Sequence, residues 1–233
     1  MSNPAFVKAR SRLILDNPFF GTLCLRLKPV ERDDMPTGAV DGVHLFYNPK
    51  WFEKLTDMEK VGFLAHEVMH VVFLHITRRA EREPTRWNVA CDYAINNYLI
   101  AEGFILPRGG LVDEQYNDMT AEAIYADLPE QGTDALDPGK CGGVMDHPGG
   151  DGTAGKASAI EAELTVAVHQ AAENVTKIRM VATYEPLMST HPEHMTTACS
   201  EDARSFRDGR SETMSRVCRS CHMHEKTIFM LQI

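Results

Sequence analysis

A chain of 233 residues, 43% hydrophobic and 24% charged, has the make-up of a folded globular protein and is long enough for one domain with its own core. A formal charge of −9 excludes the clustered Lys and Arg that neutralising nucleic-acid phosphates requires. No apolar run approaches the roughly 18 residues that span a bilayer. Lys8, Arg10 and Arg12 also break up the N-terminal stretch as a signal peptide, so a cytoplasmic protein with no membrane or nucleic-acid partner is expected. The six cysteines, Cys24, Cys91, Cys141, Cys199, Cys218 and Cys221, follow no secreted-type framework and are expected as thiols.

In chain order, Asn3 followed by Pro4 predicts a helix start, with the helix running to about Leu15. Two strand-like runs follow, Phe19 to Leu27 and Val40 to Tyr47, which can form one small sheet. Thr56 and Glu59 fit a capping box that opens a long helix to about Arg82. Pro84 stops it, Thr85 can cap the next helix, and Gly103 suits the left-handed end of that one. A third, short helix is expected over Ala121 to Leu128. The Gly-, Pro- and Asp-rich residues 131–157 read as a linker, after the domain of residues 1–130. Ser158 and Glu161 form a second capping box, opening a helix to about Asn174. From Val175 to Ile233 the periodicities vanish and methionines and cysteines crowd together, so a divergent, disordered tail is expected, the remnant of a longer C-terminal part. The fold class that results is α+β and mainly helical.

The chemistry concentrates in FLAHEVMHVVF, where His66, Glu67 and His70 stand in the order His-Glu-x-x-His. Residues four apart share one face of an α-helix, so both imidazoles can reach one ion with Glu67 beside them. That pattern points to a zinc-dependent hydrolase of the zincin type, with Zn2+ as cofactor and Glu67 as general base and acid. A third protein ligand is needed. His75 is rotated by about 140° from His70 on a continuous helix and is expected to make a structural hydrogen bond. Asp92, on the second helix of an antiparallel pair, is the better candidate, and Asn96, one turn further on the same face, can support the ligands from behind. The competing reading pairs Asp92 with Arg78 or Arg86, and Glu102 and Asp113 are weaker substitutes as ligand. Cys218, Cys221 and His222 match a haem-attachment pattern, but no second cysteine pair accompanies them and the coincidence is set aside.

The runs RLILDNPFFGTL, GVHLFYNPKWFEKLT, AHEVMH, WNVACDYAINNYL and LVDEQYNDMTAEAIYADL, spanning Ala9 to about Pro129, resemble the metallopeptidase domain of phage and bacterial proteins that usually precedes a von Willebrand factor A-like domain. The resemblance implies a zincin-like fold, His66 and His70 on zinc, Glu67 as catalytic acid/base and Asp92 as part of the site. It also implies a protein or peptide substrate, met in the host cytoplasm if the chain is phage-encoded. The Asp-x-Ser-x-Ser motif of the second domain is absent from this sequence. The alternative expectation is a non-catalytic, zinc-stabilised interaction module of a larger assembly.

Overall fold

The computed structural model describes residues 3–129 and 143–149 and a helix over 154–190. Elements up to His169 form one compact unit, to which the contacts below belong. Helix α1 (Pro4–Asp16) starts as its sequence dictates, with Asn3 Oδ1 accepting from the Ala5 and Phe6 amides at 2.9 and 3.3 Å. It buries Phe6, Ala9 and Leu13, one stripe at helical spacing.

The first expected strand, Phe19 to Leu27, is instead helix α2 (Pro18–Arg26). Pro18 presets the first helical position, and the buried Phe19, Phe20, Leu23 and Cys24 recur at helical rather than alternating spacing. The second expected strand is a hairpin, preceded by β1 (Lys28–Glu31). Its arms are β2 (Gly38–Val40) and β3 (His44–Tyr47). Asp41-Gly42 turns the chain between them: Asp41 Oδ1 accepts from the Val43 and His44 amides at 2.8 and 2.6 Å, and Gly42 takes a φ of 89°. The sheet order is β1-β3-β2, with β1 parallel to β3 (Pro29 opposite Leu45) and β2 antiparallel to it (Ala39 opposite Phe46).

After the short helix α3 (Pro49–Lys54) comes α4 (Asp57–Val72), opened by the expected Thr56–Glu59 capping box. Every residue of α4 from Lys60 to Val72 is buried, so this helix is the centre of the fold. Each large apolar side chain it buries, Phe63, Leu64 and Met69 among them, stabilises by about 1.5–3 kcal/mol. The helix does not continue to Arg82. It stops at Leu74, which takes a left-handed φ of 56°, and restarts as α5 (His75–Arg78). Arg78 Nη1 donates to the Phe73 carbonyl at 2.8 Å and so satisfies one of the freed acceptors at the break.

Helix α6 (Pro84–Ala101) is capped by Glu83, not Thr85: the Glu83 carboxylate accepts from the Thr85 and Arg86 amides at 2.8 and 2.6 Å. Pairings of His66 with Asn96, His70 with Asp92 and the His75 carbonyl with Trp87 run in opposite chain directions, so α4 and α6 lie antiparallel. A 3-10 turn (Glu114–Tyr116) and α7 (Ala121–Asp127) pack on the other side of α6 through Tyr116, Ile124 and Leu128. Helix α8 (Ala154–Thr190) begins four residues before Ser158, which is therefore inside the helix rather than its cap, and it runs on past Asn174. Cys141 and the tail beyond Thr190, with its three cysteines, lie outside the described residues. Among the described residues no helix is long and apolar enough to cross a membrane.

Candidate metal centre

Four residues apart on α4, His66 and His70 direct their Nε2 atoms to within 3.1 Å of each other. Asp92 enters from α6, its Oδ1 lying 3.5 Å from His66 Nε2 and 3.4 Å from His70 Nε2. Zinc holds nitrogen and oxygen donors at about 2.0–2.1 Å, which sets the corners of a tetrahedron about 3.3–3.4 Å apart. The three observed separations are those of one face of such a tetrahedron. Neither carboxylate oxygen of Asp92 has a hydrogen-bond partner, nor has either oxygen of Glu67, and both residues are 0% exposed. Buried anions without donors are costly, and a cation among them removes the cost. The residues present therefore fit a divalent ion: two imidazoles and one carboxylate.

The imidazoles are oriented for that task. His66 Nδ1 lies 2.8 Å from Asn96 Oδ1, and the Asn96 amide is fixed by Nδ2 donating to the Leu111 carbonyl at 3.0 Å. An amide oxygen only accepts, so Nδ1 carries the proton and Nε2 turns its lone pair to the centre. His70 is backed by His75, Nδ1 to Nδ1 at 3.2 Å, so one of the two rings donates to the other. His75 reaches this place because the left-handed Leu74 swings it round, and Trp87 Nε1 donates to its carbonyl at 3.0 Å.

Electrostatics keep the donors in ligand form. Burial, helped by His66 and opposed by Asp92, lowers the His70 pKa to about 4, so its ring is neutral at physiological pH. Burial, then His70, Arg78 and His66, push His75 well down as well. Burial pulls Asp92 upward, but the two histidines outweigh it and hold this carboxyl below its ordinary value, as an anion. Glu67 is pushed well above its ordinary value by burial and then by the negative Asp92.

The structure thus brings together His66, Glu67, His70 and Asp92, with Asn96 behind them. Glu102 ends α6, and Asp113 caps the 3-10 turn by accepting from the Gln115 amide at 3.0 Å; neither reaches the centre. Asp92 pairs with neither arginine proposed for it. Arg78 is held by Glu122 at 3.0 and 2.6 Å, and Arg86 donates to the Tyr125 and Leu128 carbonyls. What the sequence did not disclose is the place of His75, which with His70 and Cys91 forms a second buried group of donor atoms within 4.8 Å of one another. A histidine five residues after the second of the motif was the available signal, but its position depends on a helix break with no glycine or proline to mark it.

Residues 3–207 match the family described as "Putative metallopeptidase domain". The chain belongs to that family. The match continues well past the Ala9–Pro129 span carried by the sequence motifs. A Thermotoga maritima protein named "Uncharacterized protein" is 31% identical over 99 residues, which is 40% of this chain and 25% of that protein. The matched stretch covers about a quarter of the length of that relative. No solved structure matches the chain.

Proposed function

We propose that the chain is a zinc-dependent peptidase of the zincin type, with residues 1–130 carrying the machinery. In this reading His66, His70 and Asp92 hold the ion and Glu67 is the general base and acid. The observation that carries it is the convergence of His66 Nε2, His70 Nε2 and Asp92 Oδ1 at 3.1–3.5 Å beside an unpartnered Glu67 carboxylate. Zinc, when bound, supplies Lewis acidity that acidifies water and polarises a carbonyl.

The rest falls to the chain's own groups. Asn96 and His75 fix the two imidazoles. Glu67, whose carboxyl burial and then Asp92 raise well above its ordinary value, is the proton-exchanging group of this reading: an Oε takes the proton of the attacking water and returns it to the leaving amine nitrogen. The packed apolar walls of α4 exclude bulk water, so charge developing on the substrate is felt strongly. The substrate expected is an intracellular protein or peptide.

One observation favours a second reading, a zinc-stabilised interaction module: His66, Glu67, His70 and Asp92 are each 1% exposed or less. A structural ion is closed by four protein ligands, whereas a catalytic one keeps an open position. Among the described residues the donors that converge on the site are three, His66, His70 and Asp92, and Glu67 stands outside that group. The deciding experiment is zinc content of wild type and Glu67→Gln, paired with cleavage of an unfolded protein. One zinc in both with cleavage by wild type alone supports the peptidase. One zinc in both and no cleavage by either supports the module, and no zinc in either sinks both.

A further inference from the structure

His70 turns its two ring nitrogens to two places. Nε2 faces His66 Nε2 and Asp92 Oδ1, 3.1 and 3.4 Å away, while Nδ1 lies 3.2 Å from His75 Nδ1. Cys91 approaches the same two rings from α6: its Sγ and one nitrogen of each histidine all lie within 4.8 Å of one another. Helical spacing puts it there. Trp87 is one turn before Cys91, and its indole both donates to the His75 carbonyl at 3.0 Å and stands edge-on to the His75 ring at 5.9 Å. Cys91 shares with Trp87 the face of α6 that meets His75, while Asp92, next in the chain, reaches His66 and His70. The three donor residues are each 1% exposed or less, and the Cys91 thiol is free.

The spacing suits one ion. At bond lengths of about 2.0 Å to imidazole nitrogen and about 2.3 Å to thiolate sulfur, donors on a shared first-row ion stand about 3.3–3.7 Å apart. The two Nδ1 atoms are already at that separation, and the sulfur has at most about 1 Å to close. Two imidazoles and a thiolate are ligands that select copper or zinc over magnesium or calcium. Coordination number and charge decide between those two. Among the described residues three donors converge here, one short of the four that close a zinc site. Monovalent copper, with a filled d shell and a single charge, is satisfied by three. The ion also displaces the thiol proton, so Cu(I) leaves the net charge of this dry place unchanged, whereas Zn2+ adds an uncompensated positive charge.

We propose that His70 Nδ1, His75 Nδ1 and Cys91 Sγ form a second metal site, selective for monovalent copper, and that filling it withdraws His70 from the first centre. On binding, two Cu–N bonds and one Cu–S bond form, the Cys91 proton leaves to solvent, and copper stays Cu(I), so no electron moves. Each neutral ring keeps one proton, then carried on Nε2, because a neutral imidazole offers one lone pair. His70 can thus serve zinc through Nε2 or copper through Nδ1, but not both. Each ion weakens the other by the same factor. The site stands whether or not the first centre is catalytic.

The test uses the full chain with Cys141→Ser, Cys199→Ser, Cys218→Ser and Cys221→Ser, which leaves only Cys24 and Cys91 as thiols. It is refolded from urea without oxygen in the presence of Cu(I), so that burial does not bar entry, and copper is measured by competition with bicinchoninate. X-ray absorption reads the ligands, and zinc affinity is measured with a fluorescent chelator, with and without copper. The expected result is one Cu(I) per chain bound by one sulfur and two imidazole nitrogens, with zinc affinity about 10–100-fold weaker in its presence. Cys91→Ala, and independently His75→Phe, should lose the tight copper site, and in Cys91→Ala copper should leave zinc affinity unchanged. No bound copper, copper retained equally by Cys91→Ala, or zinc affinity indifferent to bound copper overturns the proposal. A chain that takes copper on these three donors but never zinc keeps the second site and removes the zinc reading of the first.

Discussion

Replacing Glu67 by methionine should make the metal-free protein more stable while abolishing the proposed activity. Both Glu67 oxygens are fully buried without a hydrogen-bond partner, and an unsatisfied buried polar group costs about 1–3 kcal/mol. Methionine has nearly the same length and volume and brings no polar atom, so the cost disappears without opening a cavity. For a chain of this size the gain of about 1–3 kcal/mol corresponds to a rise in Tm of roughly 2–12 °C. The pH dependence gives a second signature. The fold holds Glu67 well above 4.5, so above pH 4.5 the unfolded chain releases a proton that the folded chain retains. Stability of metal-free wild type should therefore fall as pH rises from 4.5 towards the folded pKa, and the Glu67 share of that slope should be gone in Glu67→Met. Urea denaturation of both proteins in chelator across pH 5–8 measures this. A less stable Glu67→Met would refute the reasoning, since it would mean that Glu67 contributes to packing or has a partner.

Gly62→Ala places a Cβ 2.1 Å from the Ile105 carbonyl oxygen, a backbone atom with no rotamer to yield. Overpacking of about 1–3 kcal/mol outweighs the ~1 kcal/mol that alanine adds to a helix interior, so denaturation should show net loss; a stabilised variant would contradict the close approach. His75→Phe keeps the buried ring but removes the hydrogen bond to His70 Nδ1, and zinc affinity should drop by about 10–100-fold in a chelator competition; unchanged affinity would show that His70 needs no such support. Burial raises Cys24 to about 12, against a lowering by Arg10, and burial followed by Asp92 and Glu122 raises Cys91 well up. Iodoacetamide at pH 8 should thus label neither in the native protein and both in urea, as read by peptide mass mapping. Native labelling of Cys91 would reveal an opening beside His75.

How much of this was legible depends on how local each signal is. The caps at Asn3 and at Thr56–Glu59 act within four residues and were readable. The run from Phe19 to Leu27 was not, because a short, almost wholly apolar stretch carries neither period clearly and its burial on α1 and α4 decided for helix. Asp41-Gly42 was a readable hairpin signal inside what looked like one strand. At the metal centre, the i, i+4 spacing placed His66 and His70, and a helical hairpin sufficed to bring Asp92 opposite them. The break at Leu74 and the pairing of Val40 with Val144 had no local mark. Both exist because distant groups accept them: the Trp87 indole on the His75 carbonyl, and Asn88 beneath Val144.

The features that local preference opposes lie close together. Leu74 in the left-handed region costs roughly 1–2 kcal/mol, Gly62 puts a poor helix former inside the central helix one turn before His66, and Glu67 and Asp92 bring two fully buried carboxyl groups into the core. A sequence shaped by packing alone would place apolar side chains at these points, as α4 does at Phe63, Leu64 and Met69. Their clustering argues that the centre is kept for a purpose other than stability. Most of them serve a structural and a catalytic ion equally: Leu74 delivers His75 to His70, and Asp92 completes the donor set in either case. Glu67 is different. It stands outside the converging donors, so a structural ion held by His66, His70 and Asp92 has no use for it, whereas proton transfer to and from water requires a carboxyl at that place. The cost of keeping Glu67 buried is therefore the part of the fold that the peptidase explains and the structural module does not.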